Sequence, residues 1–220
     1  MLNHPNVARN RLVTITHDRT FNGKPLYYHK DGLVLEHLEG IVRVLSEALS
    51  QYPKLCVAHF TVRLTSDFDG DHSEVFRRFF RTLESKTNKL CLLKYRRRPH
   101  QYHQTVIRHV WVKGDESTSH CHLVLFFEKR LYLCLGKSGG ERSRYLSRVR
   151  KAWDRAVETS CGRRCLGLAY SPADDVYELQ KGDEAFLLQL NELFYRISRL
   201  AKPTTEHADN RNFGCSHDSP

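Results

Sequence analysis

Ser119-His120-Cys121-His122 runs directly into Leu123-Val124-Leu125-Phe126-Phe127, and no other stretch limits the fold so tightly. A short apolar run entered through alternating polar and apolar residues reads as a strand. Successive side chains on a strand point to opposite faces, so His120 and His122 share one face while Cys121, Leu123 and Leu125 share the other. Two imidazoles side by side can bind a divalent metal, which can polarise a phosphate. The spacing itself is common in a chain with 13 histidines. Its position at the mouth of the most hydrophobic strand is what singles it out.

The flanking sequence supplies partners for that strand. Leu35, Leu38, Ile41, Val42, Leu45 and Leu49 form one helical stripe over residues 33–52, and Pro53 stops it. In residues 56–64, Ala58, Phe60, Val62 and Leu64 alternate with His59, Thr61 and Arg63, the pattern of a strand with one buried face. Asp71 or Ser73 can cap a helix reaching about Lys86. Strands are expected at 90–95 and 106–112, with short ones at 131–135 and 166–170, and helices at 141–159 and 183–201. Residues 1–30 read as an arm lying on the domain, 31–202 as the domain itself, and 203–220 as a polar tail. This order predicts an α+β domain: an antiparallel sheet with helices on one face and an open polar face. That face would carry His59, Thr61, Arg63, His120 and His122.

Charge points to a partner. The net charge is +10, and the cations cluster at Lys94–Arg98, Arg142–Lys151, Arg163-Arg164 and Arg196–Lys202. Such clusters attract a polyanion by counterion release, and Tyr95, Tyr102 and Tyr145 beside them offer rings for bases to stack on. Arg96, Arg97, Arg98, Arg196 and Arg199 are the candidate phosphate contacts, with Tyr95 as a stacking platform. The partner expected from charge is a nucleic acid. No run of 18 apolar residues marks a membrane span, and the N-terminus lacks a signal-peptide core, so a cytoplasmic protein is expected. Seven cysteines without paired spacing fit reduced thiols. Cys161 and Cys165, with Cys215 and His217, have a spacing compatible with a zinc site, although free thiols are the simpler reading.

Several motifs together resemble a known family. They are Val110-Trp111-Val112; His120-Cys121-His122 and its apolar run; Leu193-Phe194-Tyr195-Arg196-Ile197-Ser198-Arg199-Leu200-Ala201-Lys202; Thr205; and Arg211-Asn212-Phe213-Gly214-Cys215-Ser216. Over roughly residues 40–217 the chain is similar to the inovirus replication proteins, also called the YagK/YfjJ family of prophage proteins. That family is similar in turn to the rolling-circle replication initiators, the HUH endonucleases. The resemblance implies a ferredoxin-like antiparallel sheet. It also implies Mg²⁺ or Mn²⁺ held by His120, His122 and a third ligand, a helix-borne tyrosine that attacks a DNA phosphodiester, and a DNA partner that is single-stranded or an origin hairpin. A neutral phenol is a poor nucleophile, so it needs a polarised phosphate and a nearby cation.

The chain departs from the family where that chemistry sits. The family's Tyr-Leu-Ala-Lys tetrad corresponds here to Arg199-Leu200-Ala201-Lys202, so an arginine holds the nucleophile position. The carboxylate that follows the tryptophan in relatives is displaced to Asp115 or Glu116. For the third ligand, where Asp115 or Glu116 cannot reach, His109 is the first choice, with His59 as the alternative. Tyr195 lies one turn before Arg199 and Lys202 one turn after it. Tyr195 is either a displaced nucleophile or an aromatic packed beside Phe194, and the one-turn offset of about 5 Å favours packing. The expectation is a phage-type DNA-binding protein acting in replication initiation, its nickase activity weakened by Arg199. The rival is a non-catalytic host-takeover or defence factor acting on a protein partner.

Overall fold

The computed structural model describes residues 13–63, 72–98, 104–114, 120–131, 141–161, 169–170, 176–203 and 212–216. The fold is α+β, with short strands β1 (Ile15–Thr16), β2 (Thr20–Phe21), β3 (Lys24–Pro25) and β4 (Leu33–Val34) leading into α1 (Leu35–Gln51). Then come β5 (Lys54–Arg63), α2 (His72–Tyr95), β6 (Arg108–Lys113), β7 (His120–Glu128) and α3 (Glu141–Cys161). Strands β8 (Ala169–Tyr170) and β9 (Val176–Gln180), helix α4 (Phe186–Ser198) with a 3-10 turn (Arg199–Ala201), and β10 (Phe213–Cys215) complete it. The main sheet runs β10-β6-β7-β5, with β8 and β9 both on the outer edge of β5, every pairing antiparallel.

Helices cover both faces of this sheet, which corrects the expectation of helices on one face. Leu38, Ile41, Val44 and Leu45 of α1 and Leu190, Leu193, Phe194 and Ile197 of α4 pack on Val57, Val110, Val124 and Phe126. Against the other face, Phe76, Phe79 and Leu83 of α2 and Val149, Trp153 and Val157 of α3 pack on Ala58, Phe60, Leu123 and Leu125. A strand buried on both sides must be apolar at odd and even positions alike, hence the unbroken run Leu123–Phe127. Trp153 is fully buried and its indole N–H donates to the carbonyl of Arg63, 3.1 Å away, tying α3 to the end of β5. Each such large side chain contributes about 1.5–3 kcal/mol by leaving water.

Residues 90–95, expected as a strand, are the last turns of α2. Thr87 and Cys91 extend the buried stripe of Leu83 at four-residue spacing, so the core continues to ask for a helix. The expected edge strand at 131–135 falls, apart from Leu131, outside the described residues. The tail contributes a strand, since β10 pairs with β6 at Phe213↔Val112 and Cys215↔Val110. The arm is also built in. Val34 offers α1 no side-chain cap, and the Leu35 N–H instead donates to the Thr14 carbonyl at 2.8 Å, while the Glu36 carboxylate accepts from the Thr14 N–H. Among the described residues no helix is long and apolar enough to cross a membrane.

Candidate functional site

Register decides which polar side chains meet. In the β5–β7 ladder Thr61 lies opposite His122 and Arg63 opposite His120, so His59, Thr61, Arg63, His120 and His122 share the face that α1 and α4 cover. The rings of His59 and His122 are 5.4 Å apart and those of His120 and His122 5.0 Å. Thr61 Oγ1 stands 3.5 Å from His122 Nδ1. His120 is seated against Gly114, where an added Cβ would lie 2.6 Å from its Nε2.

The end of α4 closes over this cluster. Arg199, first residue of the 3-10 turn, points a guanidinium nitrogen at His59 Nδ1 at 3.1 Å. Arginine can only donate, so Nδ1 is the acceptor and neutral His59 carries its proton on Nε2. His122 is driven down to about 4, first by burial and then by the charges of His59, His120, Arg199 and Lys202. It is therefore a neutral imidazole at physiological pH.

Beside Arg199 opens a cleft of about 440 Å³ whose walls include Tyr27, His59, Tyr177, Tyr195, Arg196 and Arg199. Tyr195 is 43% exposed and its ring lies 5.9 Å from that of Tyr27, while Phe194 turns into the core. The structure thus places Tyr195 on the cleft wall, against the expectation that it packs with Phe194. Lys202 Nζ sits 4.9 Å over the Tyr27 ring, and the Arg196 guanidinium 5.1 Å over that of Tyr177. Arg196 also pairs with Glu192 at 2.7 Å. Tyr27 and Tyr177 escaped the sequence reading. Only the Tyr27-Tyr28 pair in an otherwise polar arm hinted at the first, and Tyr177 sits on a strand with a single buried residue, Leu179. Buried Ser198 anchors the arm here: its Oγ accepts from the Tyr27 N–H at 2.9 Å and donates to the Tyr195 carbonyl at 2.8 Å.

Other expected residues lie elsewhere. His109 is paired with Leu125 and stacks on Phe80 at 3.3 Å, on the opposite face of the sheet, so it cannot join His120 and His122. The third imidazole of the cluster is His59. Arg96, Arg97 and Arg98 follow α2 on that opposite side, and Tyr95 is half-buried against its core. They also lie at the far end of the sheet. Asn88 in the second half of α2 bonds Thr105, just ahead of Arg108, whose partner in β7 is Phe126. The basic triple and the pair Arg196–Arg199 therefore form separate patches. Tyr102, Asp115, Glu116, Cys165 and His217 lie outside the described residues, as do the side chains of Tyr145 and Cys161. Among the described residues no group of three or more His, Cys, Asp and Glu is placed to hold a metal ion.

The cleft combines one imidazole, His59, two guanidiniums and three phenol rings, with the Lys202 ammonium over one of those rings and its lining carboxylate, Glu192, paired with Arg196. A guanidinium in such surroundings binds an anion with planar, directional hydrogen bonds, and the rings offer faces for a flat group beside it. The fold and cleft define an α+β domain with a histidine–arginine site under the last helix. The model of the YagK/YfjJ C-terminal domain matches residues 16–216, and the chain belongs to that family. No curated protein and no solved structure matches it.

Proposed function

We propose that this chain is a DNA-binding protein of the replication-initiator type whose strand-cutting chemistry is weakened. The observation that carries the reading is the Arg199 guanidinium 3.1 Å from His59, beside His122 and in the cleft of Tyr195 and Tyr27. Arg199 stands where the resemblance to the replication initiators implies the tyrosine of a Tyr-x-x-Lys motif. A permanently protonated guanidinium attacks nothing, but it grips a phosphate and holds it against the imidazoles. Arg196 and Lys202 add charge along the path of a strand, and Tyr27, Tyr177 and Tyr195 offer faces on which bases stack. Mg²⁺ or Mn²⁺ belongs to this reading through His120 and His122 alone. When bound it would polarise the phosphate, and imidazole donors suit Mn²⁺ better than Mg²⁺. A ferredoxin-like ancestry of the sheet is part of the same proposal.

A second reading keeps the enzyme active with Tyr195 as a displaced nucleophile, favoured by its exposure on the cleft wall and by Lys202 over the neighbouring Tyr27 ring. One set of measurements separates the readings. Binding of a labelled single-stranded oligonucleotide is followed against salt, and supercoiled plasmid is assayed for nicking with Mn²⁺. Binding that weakens steeply with salt, with no covalent adduct, is expected. Replacing Arg196 and Arg199 by alanine should flatten the log–log salt slope by roughly one per lost phosphate contact. Binding without salt dependence would instead favour a protein partner. An adduct in the parent that disappears in Tyr195→Phe would show that the nucleophile has moved one turn.

A further inference from the structure

The layer of helices remote from the cleft exposes leucines beside a row of cations. Helix α2 is 24 residues long, and its second half exposes Leu90, Leu92 and Leu93 at 36%, 54% and 56%. Leu90 and Leu93 are three apart, hence on one side of the helix, and with Leu83 and Thr87 they floor a groove of about 270 Å³ between α2 and α3. Its rim is Lys86 and Lys89 from α2 and Arg148 and Lys151 from α3, with no carboxylate among the described lining residues. We infer that this groove is a docking site for an acidic amphipathic helix of a partner protein. Such a helix would lay a leucine-type stripe on Leu90 and Leu93 and place Asp or Glu on either side against the four cations.

The occupant follows from the chemistry of floor and rim together. An apolar floor of this shape takes side chains spaced one helical turn apart, the usual reading of helix-in-groove recognition. Flanking cations on both walls select for flanking acids and against bases. A second copy of this chain is disfavoured, because it would bring like-charged rims together on a molecule of net charge +10. Nucleic acid is disfavoured too. Leucines neither stack on bases nor hydrogen-bond with them, and no aromatic ring lines the groove among the described residues. The site lies across the sheet from Arg199, so it stands or falls independently of the function proposed above.

The test uses a fluorescein-labelled helical peptide of about 18 residues, with leucines on one stripe and glutamates flanking them, and its twin with lysines for glutamates. Anisotropy titrations should show the acidic peptide binding at least tenfold more tightly than the basic twin. They should also show roughly tenfold weakening in Leu90→Ser/Leu93→Ser and in Lys86→Glu/Lys151→Glu. These positions are solvent-exposed, so melting temperatures should stay close to the parent's, and Arg199→Ala should leave peptide affinity unchanged. Equal binding of the two peptides, or indifference to the leucine pair, would overturn the inference. So would concentration-dependent dimerisation abolished by Leu90→Ser/Leu93→Ser, which would assign the groove to a second copy. Loss of oligonucleotide affinity in Lys86→Glu/Lys151→Glu without peptide binding by the parent would assign it to nucleic acid.

Discussion

Replacing Gly214 by alanine tests how the C-terminal strand is held. Gly214 lies opposite Trp111 in the β10–β6 ladder, and a Cβ built there would meet the indole at 2.3, 2.6 and 2.8 Å. The indole cannot yield, because it is buried and stacked on Phe76 with centroids 4.3 Å apart. Two responses are open to the molecule. Forcing the methyl into the packed site costs about 1–3 kcal/mol by overpacking. Releasing β10 instead forfeits the bond from the Ser216 N–H to the His109 carbonyl (2.9 Å), that from the His109 N–H to Ser216 Oγ (3.1 Å), and the Phe213–His37 stack (4.1 Å). At about 1 kcal/mol for each bond and roughly another for the half-buried ring, release costs about 3 kcal/mol or more once the ladder is included. The cheaper response sets the effect, so a loss of about 1–3 kcal/mol is expected in urea denaturation. Hydrogen exchange distinguishes the routes, since release should speed exchange at the β6 amides facing β10. A loss below about 0.5 kcal/mol with unchanged Trp fluorescence would refute the argument, since no surface-like substitution should be that silent here.

The remaining predictions concern charge and the histidines. Burial drives His37 down from 6.5 to about 4 against the opposing pull of Glu36, so the folded state resists a proton that the unfolded chain accepts. Its contribution is therefore complete above about pH 6.5 and is lost as pH falls towards 4. It amounts to roughly 3 kcal/mol, discounted to about 2 for partial solvation, and stability curves of His37→Phe should be flatter over that window than the parent's. On the function proposed above, Arg199→Tyr, which places a tyrosine ahead of Leu200-Ala201-Lys202, is expected to yield a covalent DNA adduct with Mn²⁺, detectable as a shifted band on a denaturing gel; its absence would count against Arg199 standing in for a nucleophile. Mn²⁺ should raise the melting temperature of the parent but not of His120→Ala/His122→Ala, and equal shifts would remove the metal from the site. Gly114→Ala should turn the His120 ring out of its seat at little cost in stability, because a single side chain can move, and should weaken the same Mn²⁺ effect.

What the sequence disclosed follows from which elements carry their own pattern. Strands β5 and β7 and helix α1 were legible because their apolar periods are strong. Helix α2 was cut short because Leu90-Cys91-Leu92-Leu93 has the composition of a strand. Its true phase shows only through Leu83, Thr87 and Cys91, one turn apart on the buried side. Strand β9 was invisible, since Leu179 is its one buried residue, and β10 was visible as a family block but not as a strand. The two-sided burial of the sheet was already written in Leu123–Phe127, yet the histidines ahead of it suggested an open polar face. They sit in the part of β7 that meets the end of α4, where the apolar layer gives way to Arg199 and Lys202.

The site was less legible than the fold for a topological reason. His120 and His122 are neighbours in sequence, but His59, Tyr27, Tyr177 and Arg199 reach them from a different strand, an arm, an edge strand and a helix end. Only pairing register brings these together, and a single sequence does not state its register. Ser198 makes the dependence concrete. Its hydroxyl takes the Tyr27 N–H and gives its own proton to the Tyr195 carbonyl, so one buried oxygen fixes the arm to the helix that carries Arg199. The division of the chain into an arm, a domain and a tail therefore does not hold at the level of the site. Tyr27 from the arm forms part of the cleft, and β10 from the tail closes the sheet edge beside α1. A piece limited to residues 31–202 would keep the histidines and Arg199 but lose one wall of the cleft they serve.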